Sequence, residues 1–157
     1  MLQRIQTLYL MAVTLLMVVT LIFPLVFIAV DGQQVNLSAF AISDAEGVLS
    51  HASAWLGGVL ALATLLPFVT IFLYKNRPLQ IRLCGVECVL LIGAVALVGA
   101  FTYVVCNNIF TEFDITWSNI VFRFGVLMPI VSVVLTVLAM RAILRDELLV
   151  RSLDRIR

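Results

Sequence analysis

Charged residues drop out of four long stretches of this chain: Leu8 to Val30, Gly47 to Tyr74, Leu83 to Thr111 with Glu87 as its one interruption, and Phe124 to Met140. A helix rising 1.5 Å per residue needs about 20 apolar residues to cross a bilayer. The pattern therefore predicts four membrane spans, at about 8–30, 54–74, 83–106 and 122–142, in one membrane domain covering 1–157. The segments between them follow other rules. Glu112-Phe113-Asp114-Ile115-Thr116-Trp117-Ser118 alternates polar and apolar, the period of a strand buried on one face. Gln34 to Ile42 carries Val35, Leu37, Ala39 and Ala41 at the same spacing, behind an Asp31-Gly32 turn signal. A lone hairpin is marginal in water, so a small antiparallel sheet from these two loops would have to rest on the helix ends. The other reading of Phe113, Ile115 and Trp117 is an interfacial aromatic belt. The fold class expected is an all-α membrane protein, a four-transmembrane-helix bundle with such a sheet outside.

Past the fourth span, Leu144, Leu148, Leu149, Leu153 and Ile156 share one half of a helical wheel, and Glu147 with Arg151 makes an i, i+4 pair. This predicts an amphipathic helical tail over 143–157, lying along the inner leaflet or docking on a partner helix. The first span is twice the length of a signal-peptide core, and the nearest small-x-small site, Ala39-Phe40-Ala41, lies far beyond its end, so an uncleaved helix is expected.

Composition agrees with the pattern, since 63% hydrophobic and 12% charged residues cannot be hidden in a soluble core of 157 residues. The net charge of +1 argues against a nucleic-acid partner, which calls for a dense basic face. Charge placement is more telling than charge sum. Arg4, Lys75, Arg77, Arg82, Arg141, Arg145, Arg151, Arg155 and Arg157 fall on one side of the four spans, and of the ten basic residues only Arg123 falls on the other. Short loops rich in Lys and Arg stay in the cytoplasm, so both termini are expected inside, with Asp31, Asp44, Glu46, Glu112 and Asp114 outside.

In lipid, helices pack through small residues. That rule points to Gly85, Cys88, Gly93, Ala96, Gly99 and Ala100 as the packing face of the third span, to Gly57, Gly58 and Ala61 in the second, and to Gly125, Ser132, Thr136 and Ala139 in the fourth. Pro24, Pro67 and Pro129 are expected to kink helices, with Thr64 bonding a carbonyl freed near Pro67. Glu87 is the one ionisable residue inside a span, which by default marks a functional site. Five residues past Arg82, only ~7.5 Å along the helix, it is expected to snorkel or to meet Arg4 or Arg141, and on the wheel it lies nearly opposite the small-residue arc. Of the three cysteines, Cys106 lies ~27 Å of helix beyond Cys88, which excludes a disulfide between them. Cys84, Glu87 and Cys88 lack the fourth ligand and the spacing of a metal site, and the single His51 leaves no Ser/His or Cys/His pair. No catalytic residue, cofactor or metal is expected.

Three blocks carry a family resemblance: Met1-Leu2-Gln3-Arg4-Ile5-Gln6-Thr7-Leu8-Tyr9-Leu10 at the start, Tyr74-Lys75-Asn76-Arg77-Pro78-Leu79-Gln80-Ile81-Arg82-Leu83 between the second and third spans, and Arg145-Asp146-Glu147-Leu148-Leu149-Val150-Arg151-Ser152-Leu153-Asp154-Arg155-Ile156-Arg157 at the end. In order and over the whole length, the chain resembles the four-span Bacteroidota inner-membrane proteins known as domain of unknown function 4293. The resemblance implies a bacterial cytoplasmic membrane and one domain, and brings no activity with it. All three blocks fall on the side expected inside. Glu87, Arg4, Arg77, Arg82, Arg141, Asp146, Glu147, Arg151 and Arg155 are therefore the candidate functional or partner-contact residues. The function expected is a non-enzymatic accessory or scaffold protein offering this arginine-rich face to a protein partner or to anionic membrane lipid, as a monomer or a homo-oligomer. The alternative is a small transporter or channel using Glu87 as an intramembrane carboxylate. The layout also resembles that of claudin-like four-span proteins, with a sheet built from two outer loops, although the paired Cys and Gly-Leu-Trp motif of that family are absent.

Overall fold

The computed structural model describes residues 2–30, 33–44, 47–51, 53–73, 76–109 and 120–154. Four helices hold most of them: α1 (Leu2–Ile22), α2 (Ala54–Phe72), α3 (Arg77–Ile109) and α4 (Phe124–Asp154). Between α1 and α2 run β1 (Val26–Val30), β2 (Gln33–Leu37), β3 (Ile42–Asp44) and β4 (Gly47–Ser50), and β5 (Ile120–Phe122) immediately precedes α4. All four helices contain windows long and apolar enough to cross a membrane, Ile5–Ile22, Ala54–Phe72, Pro78–Asn107 and Phe124–Leu148, which makes this a multi-pass membrane protein.

The first span is shorter than its hydropathy suggests. Helix α1 ends at Ile22, not at Val30, and residues 26–30 form a strand. Pro24 lacks the N–H that would continue the helix and disfavours helical backbone at Phe23, so it stops α1 and does not kink it. The run after it, Val26-Phe27-Ile28-Ala29-Val30, is rich in β-branched and aromatic residues that suit a strand. Pro67 and Pro129 do lie inside helices, and the Thr64 hydroxyl donates to the Leu60 carbonyl (2.8 Å), not to the Ala63 carbonyl that Pro67 leaves free.

The five strands form one antiparallel sheet in the order β4-β3-β2-β1-β5. Ile28 pairs with Val35, and Leu37 with both Val26 and Ile42, so the period of two sends Val26, Ile28, Val35, Leu37 and Ile42 to one face. All five are buried against Met17 of α1, Leu56 and Leu60 of α2 and Leu91, Ala94 and Val98 of α3. Each such burial contributes about 1.5–3 kcal/mol. The expected sheet therefore exists, with a different pairing. Residues 34–37 pair with β1 and β3, the second loop contributes Ile120–Phe122 instead, and 112–118 lie outside the described residues. On the other face the Arg123 guanidinium sits 4.9 Å from the Phe27 ring centre, while its backbone N–H donates to Leu25 (2.9 Å). The basic residue that broke the charge pattern thus holds the joint between α4 and β1.

Because β1 follows α1 while β4 and β5 lead into α2 and α4, those three helix ends meet at the sheet. α1 packs on α2 and α4, and α3 packs on the same two. Their buried positions recur at alternating steps of four and three: Gln6, Leu10, Val13, Met17, Thr20; Leu56, Leu60, Ala63, Pro67, Thr70; Gln80, Cys84, Glu87, Leu91, Ala94, Val98; Gly125, Pro129, Ser132, Thr136, Ala139, Ile143. A repeat of 3.5 is the seam of helices wound on one another with a left-handed twist.

Candidate functional site

Away from the sheet, a second cluster of Leu10, Cys84, Ala139 and Ile143 draws α1, α3 and α4 together, with Ile71 of α2 packed against it. Two carboxamides tie this end across helices. Gln6 Nε2 donates to the Ala142 carbonyl (3.1 Å), joining α1 to α4, and Gln80 Nε2 donates to the Thr70 carbonyl (2.9 Å), joining α3 to α2. Pro78, in the first turn of α3, needs no helical donor there, and the Asn76 carbonyl accepts from Leu79 and Gln80 as the helix begins (both 3.1 Å).

Seven residues past Gln80, on the same stripe of α3, stands Glu87. It is 1% exposed, and neither carboxyl oxygen has a hydrogen-bond partner among the described residues. Elsewhere in the interior the hydroxyls of Thr20, Thr70, Thr102 and Thr136 each donate to the carbonyl four residues back, at 2.7–3.0 Å. Among the described residues, Ser53 and Ser132 are the other buried side chains without a partner.

This reverses the expected orientation of α3. The inward stripe is the one that holds Glu87, Leu91, Ala94 and Val98, whereas Ala96, Gly99 and Ala100 of the small-residue arc are exposed. An added Cβ at Gly85, Gly93 or Gly99 would meet nothing within 4 Å. Where both sides of a helix are apolar, the larger side chains Val86, Val89 and Ile92 can face outward without cost, so small size does not mark the packed side. On α4 the expectation holds, since Gly125, Ser132, Thr136 and Ala139 are all buried; on α2 Gly57 is buried and Gly58 exposed.

Of the two cations anticipated as partners of Glu87, Arg141 is exposed and the side chain of Arg4 is not described. Arg82 and Arg141 are exposed, as is Arg145, and the side chains of Arg4, Arg77 and Arg151 and the whole of Arg155 lie outside what is described. Asp146 and Glu147 are half-buried and each makes an interaction. Helix α4 continues unbroken to Asp154 with Leu144 and Leu148 exposed. Cys84 is buried and Cys88 half-buried, both as free thiols, and among the described residues no group of three His, Cys, Asp or Glu is arranged to hold a metal. Sequence reasoning passed over Gln6 and Gln80, whose signal was the four-three spacing to Leu10 and Cys84.

The arrangement is a buried carboxyl without a hydrogen-bond partner among the described residues, in a molecule whose exposed residues include Arg82, Arg141 and Arg145. No curated protein matches the chain. A family match covers residues 2–156, nearly the whole length, and the chain belongs to that family, described as Domain of unknown function (DUF4293).

Proposed function

We propose that the protein is a non-enzymatic accessory or scaffold subunit of the bacterial cytoplasmic membrane. Its four helices form a bundle with both termini inside the cell, and the end opposite the sheet is offered to a partner protein or to anionic lipid headgroups. The observation that carries the reading is the segregation of charge: Arg82, Arg141 and Arg145 are exposed near the end tied by Gln6 and Gln80, and Arg123 at the sheet is engaged with Phe27. Basic residues beside an anionic leaflet contribute about 1 kcal/mol each, enough for several to act together. The sheet made from two loops suits the claudin-like layout, a structural variant of the same reading.

The test is purification in mild detergent followed by native mass spectrometry. Retained anionic phospholipid or a stoichiometric subunit is expected, and a lipid-free solitary monomer in repeated preparations would sink the proposal. Changing Arg141 and Arg145 together to Gln removes about 2 kcal/mol of attraction to the leaflet, so retention of anionic lipid should weaken about thirtyfold.

Orientation has its own check. In a background with the three native cysteines changed to alanine, Val48→Cys on β4 and Pro78→Cys at the start of α3 place thiols at two exposed positions. An impermeant maleimide should label the first on cells with an intact inner membrane and the second only after that membrane is opened. Labelling of Pro78→Cys from outside would invert the topology. A second reading, a small transporter, is favoured by one observation, the inward orientation of Glu87.

A further inference from the structure

We infer that Arg123 and the phenyl groups beside it form a binding site for the phosphate group of a membrane phospholipid, in the leaflet on the sheet side. The inference needs only that the helices cross a bilayer, so it is independent of the scaffold reading and of which side of the membrane the sheet faces. Two lengths of backbone build the site. The chain leaves α1 through Phe23, Pro24 and Leu25 and enters α4 through Phe122, Arg123 and Phe124. They are joined where the Arg123 N–H donates to the Leu25 carbonyl (2.9 Å) and where Phe122 pairs with Val26.

The period of two then sorts the side chains by depth. Phe122 lies opposite the buried Val26 and so hangs from the membrane side of the sheet edge, whereas the Arg123 guanidinium turns to the other face, over the Phe27 ring. Phe23, Phe122 and Phe124 are each more than half exposed. In water such exposure of three phenyl groups is unfavourable; against acyl chains it costs nothing. Trp55 in the first turn of α2 and Tyr103 in the last turns of α3 are exposed as well, and aromatic residues at the ends of spans mark the headgroup level. The guanidinium is therefore held just above a group of phenyls, at the depth where a leaflet changes from acyl chain to phosphate.

The charge on Arg123 is available for such a partner. A cation over an aromatic ring is attracted through its charge and spends none of its N–H donors, and among the described residues no acceptor takes a hydrogen bond or ion pair from this guanidinium. Val121 and Asn36, paired on either side of Phe27, are uncharged. Arginine presents its five donors as a planar fork that matches two oxygens of a phosphate. Phe27, held between β2 and β5, keeps that fork in place, which lowers the ordering cost of binding. A soluble anion would meet the guanidinium and gain nothing from the phenyls. A phospholipid gains from both, because its acyl chains begin where Phe122 and Phe124 lie.

The test titrates the full-length protein in detergent with phosphatidylglycerol, and with a diacylglycerol of the same chains that lacks the phosphate, reading the bound lipid by native mass spectrometry. Arg123→Gln should weaken phosphatidylglycerol binding about fivefold or more and leave diacylglycerol binding unchanged, with Arg123→Lys between the two. Phe124→Ser keeps the charge and should weaken both lipids alike. Each variant retains the backbone N–H of residue 123, so the gel-filtration profile should stay that of the native protein. Phosphatidylglycerol binding by Arg123→Gln within twofold of native would overturn the inference. So would displacement of the lipid by millimolar inorganic phosphate, which would make this a site for a soluble anion. Changing Arg141 and Arg145 to Gln should not alter the difference that Arg123 makes, so this inference and the scaffold proposal can fail separately.

Discussion

Replacing Gly57 by leucine is expected to lower the thermal midpoint of the purified protein by about 5 °C or more, because this glycine is where the sheet is seated on the helices. A Cβ at Gly57 would press into the Phe40 ring and stand 2.8 Å from the Ala39 carbonyl oxygen. That carbonyl belongs to the turn between β2 and β3, which is held by the Ser38 N–H and the Ser38 hydroxyl both donating to Ala41 (3.0 and 2.7 Å). The ring can swing away, but a turn fixed by two hydrogen bonds yields less easily. Overpacking of this kind costs about 1–3 kcal/mol, and each kcal/mol moves the midpoint of a domain this size by about 2–4 °C. Gly125 is a second contact of the same kind: its Cβ would lie 2.8 Å from the Pro24 oxygen and 3.3 Å from the Leu25 Cα, where the chain leaves α1 for β1. Gly93→Ala and Gly99→Ala are the controls. Their Cβ atoms enter open space, and alanine in a helix is better than glycine by up to about 1 kcal/mol, so they should be neutral or stabilising. A midpoint for Gly57→Leu equal to that of Gly93→Ala would mean that the sheet does not rest on α2 as described.

Those four glycines also show what a sequence of this kind discloses. Hydropathy reports that a segment is buried in something, lipid or protein, and it placed the apolar segments well. It does not report the conformation of a segment. The apolar run from Leu8 to Val30 looks continuous because a membrane helix and the core strand of a sheet are both apolar; only Pro24 marked the change, and its effect was stronger than the kink expected of it. Hydropathy is equally silent on which side of a helix faces its neighbours when both sides are apolar. On α4 the inward face was legible because Gly125, Ser132, Thr136 and Ala139 are small and, in part, polar. On α3 those two signals separate. The small residues Ala96, Gly99 and Ala100 point out, while Gln80, Cys84 and Glu87 point in at the four-three spacing shared by all four helices. The spacing of polar residues was therefore the better guide. Alternation worked at Val35 and Leu37, where one face of a strand meets water or headgroups and the other meets the core, and where a one-residue slip would turn the wrong face inward. The three sequence blocks that resembled the family were sufficient for its identification. Glu87 was found by its charge alone, and its inward orientation was missed because the small residues of α3, not the polar spacing of Gln80, Cys84 and Glu87, served as the mark of its packed face.

Replacing Glu87 by leucine is expected to stabilise the protein, the opposite of what removing a structural residue does. The carboxyl is fully buried with no partner among the described residues, and an unsatisfied buried polar group costs about 1–3 kcal/mol that an apolar side chain of similar volume recovers. The gain should appear as a rise of several degrees in the thermal midpoint measured in nanodiscs at low salt. Glu87→Gln should gain less, since its amide remains polar and equally unpartnered. A fall in the midpoint of Glu87→Leu would show that the carboxyl has a structural partner and that its burial is already compensated. A rise would place Glu87 among residues kept at the expense of stability, where function and fold pull in opposite directions.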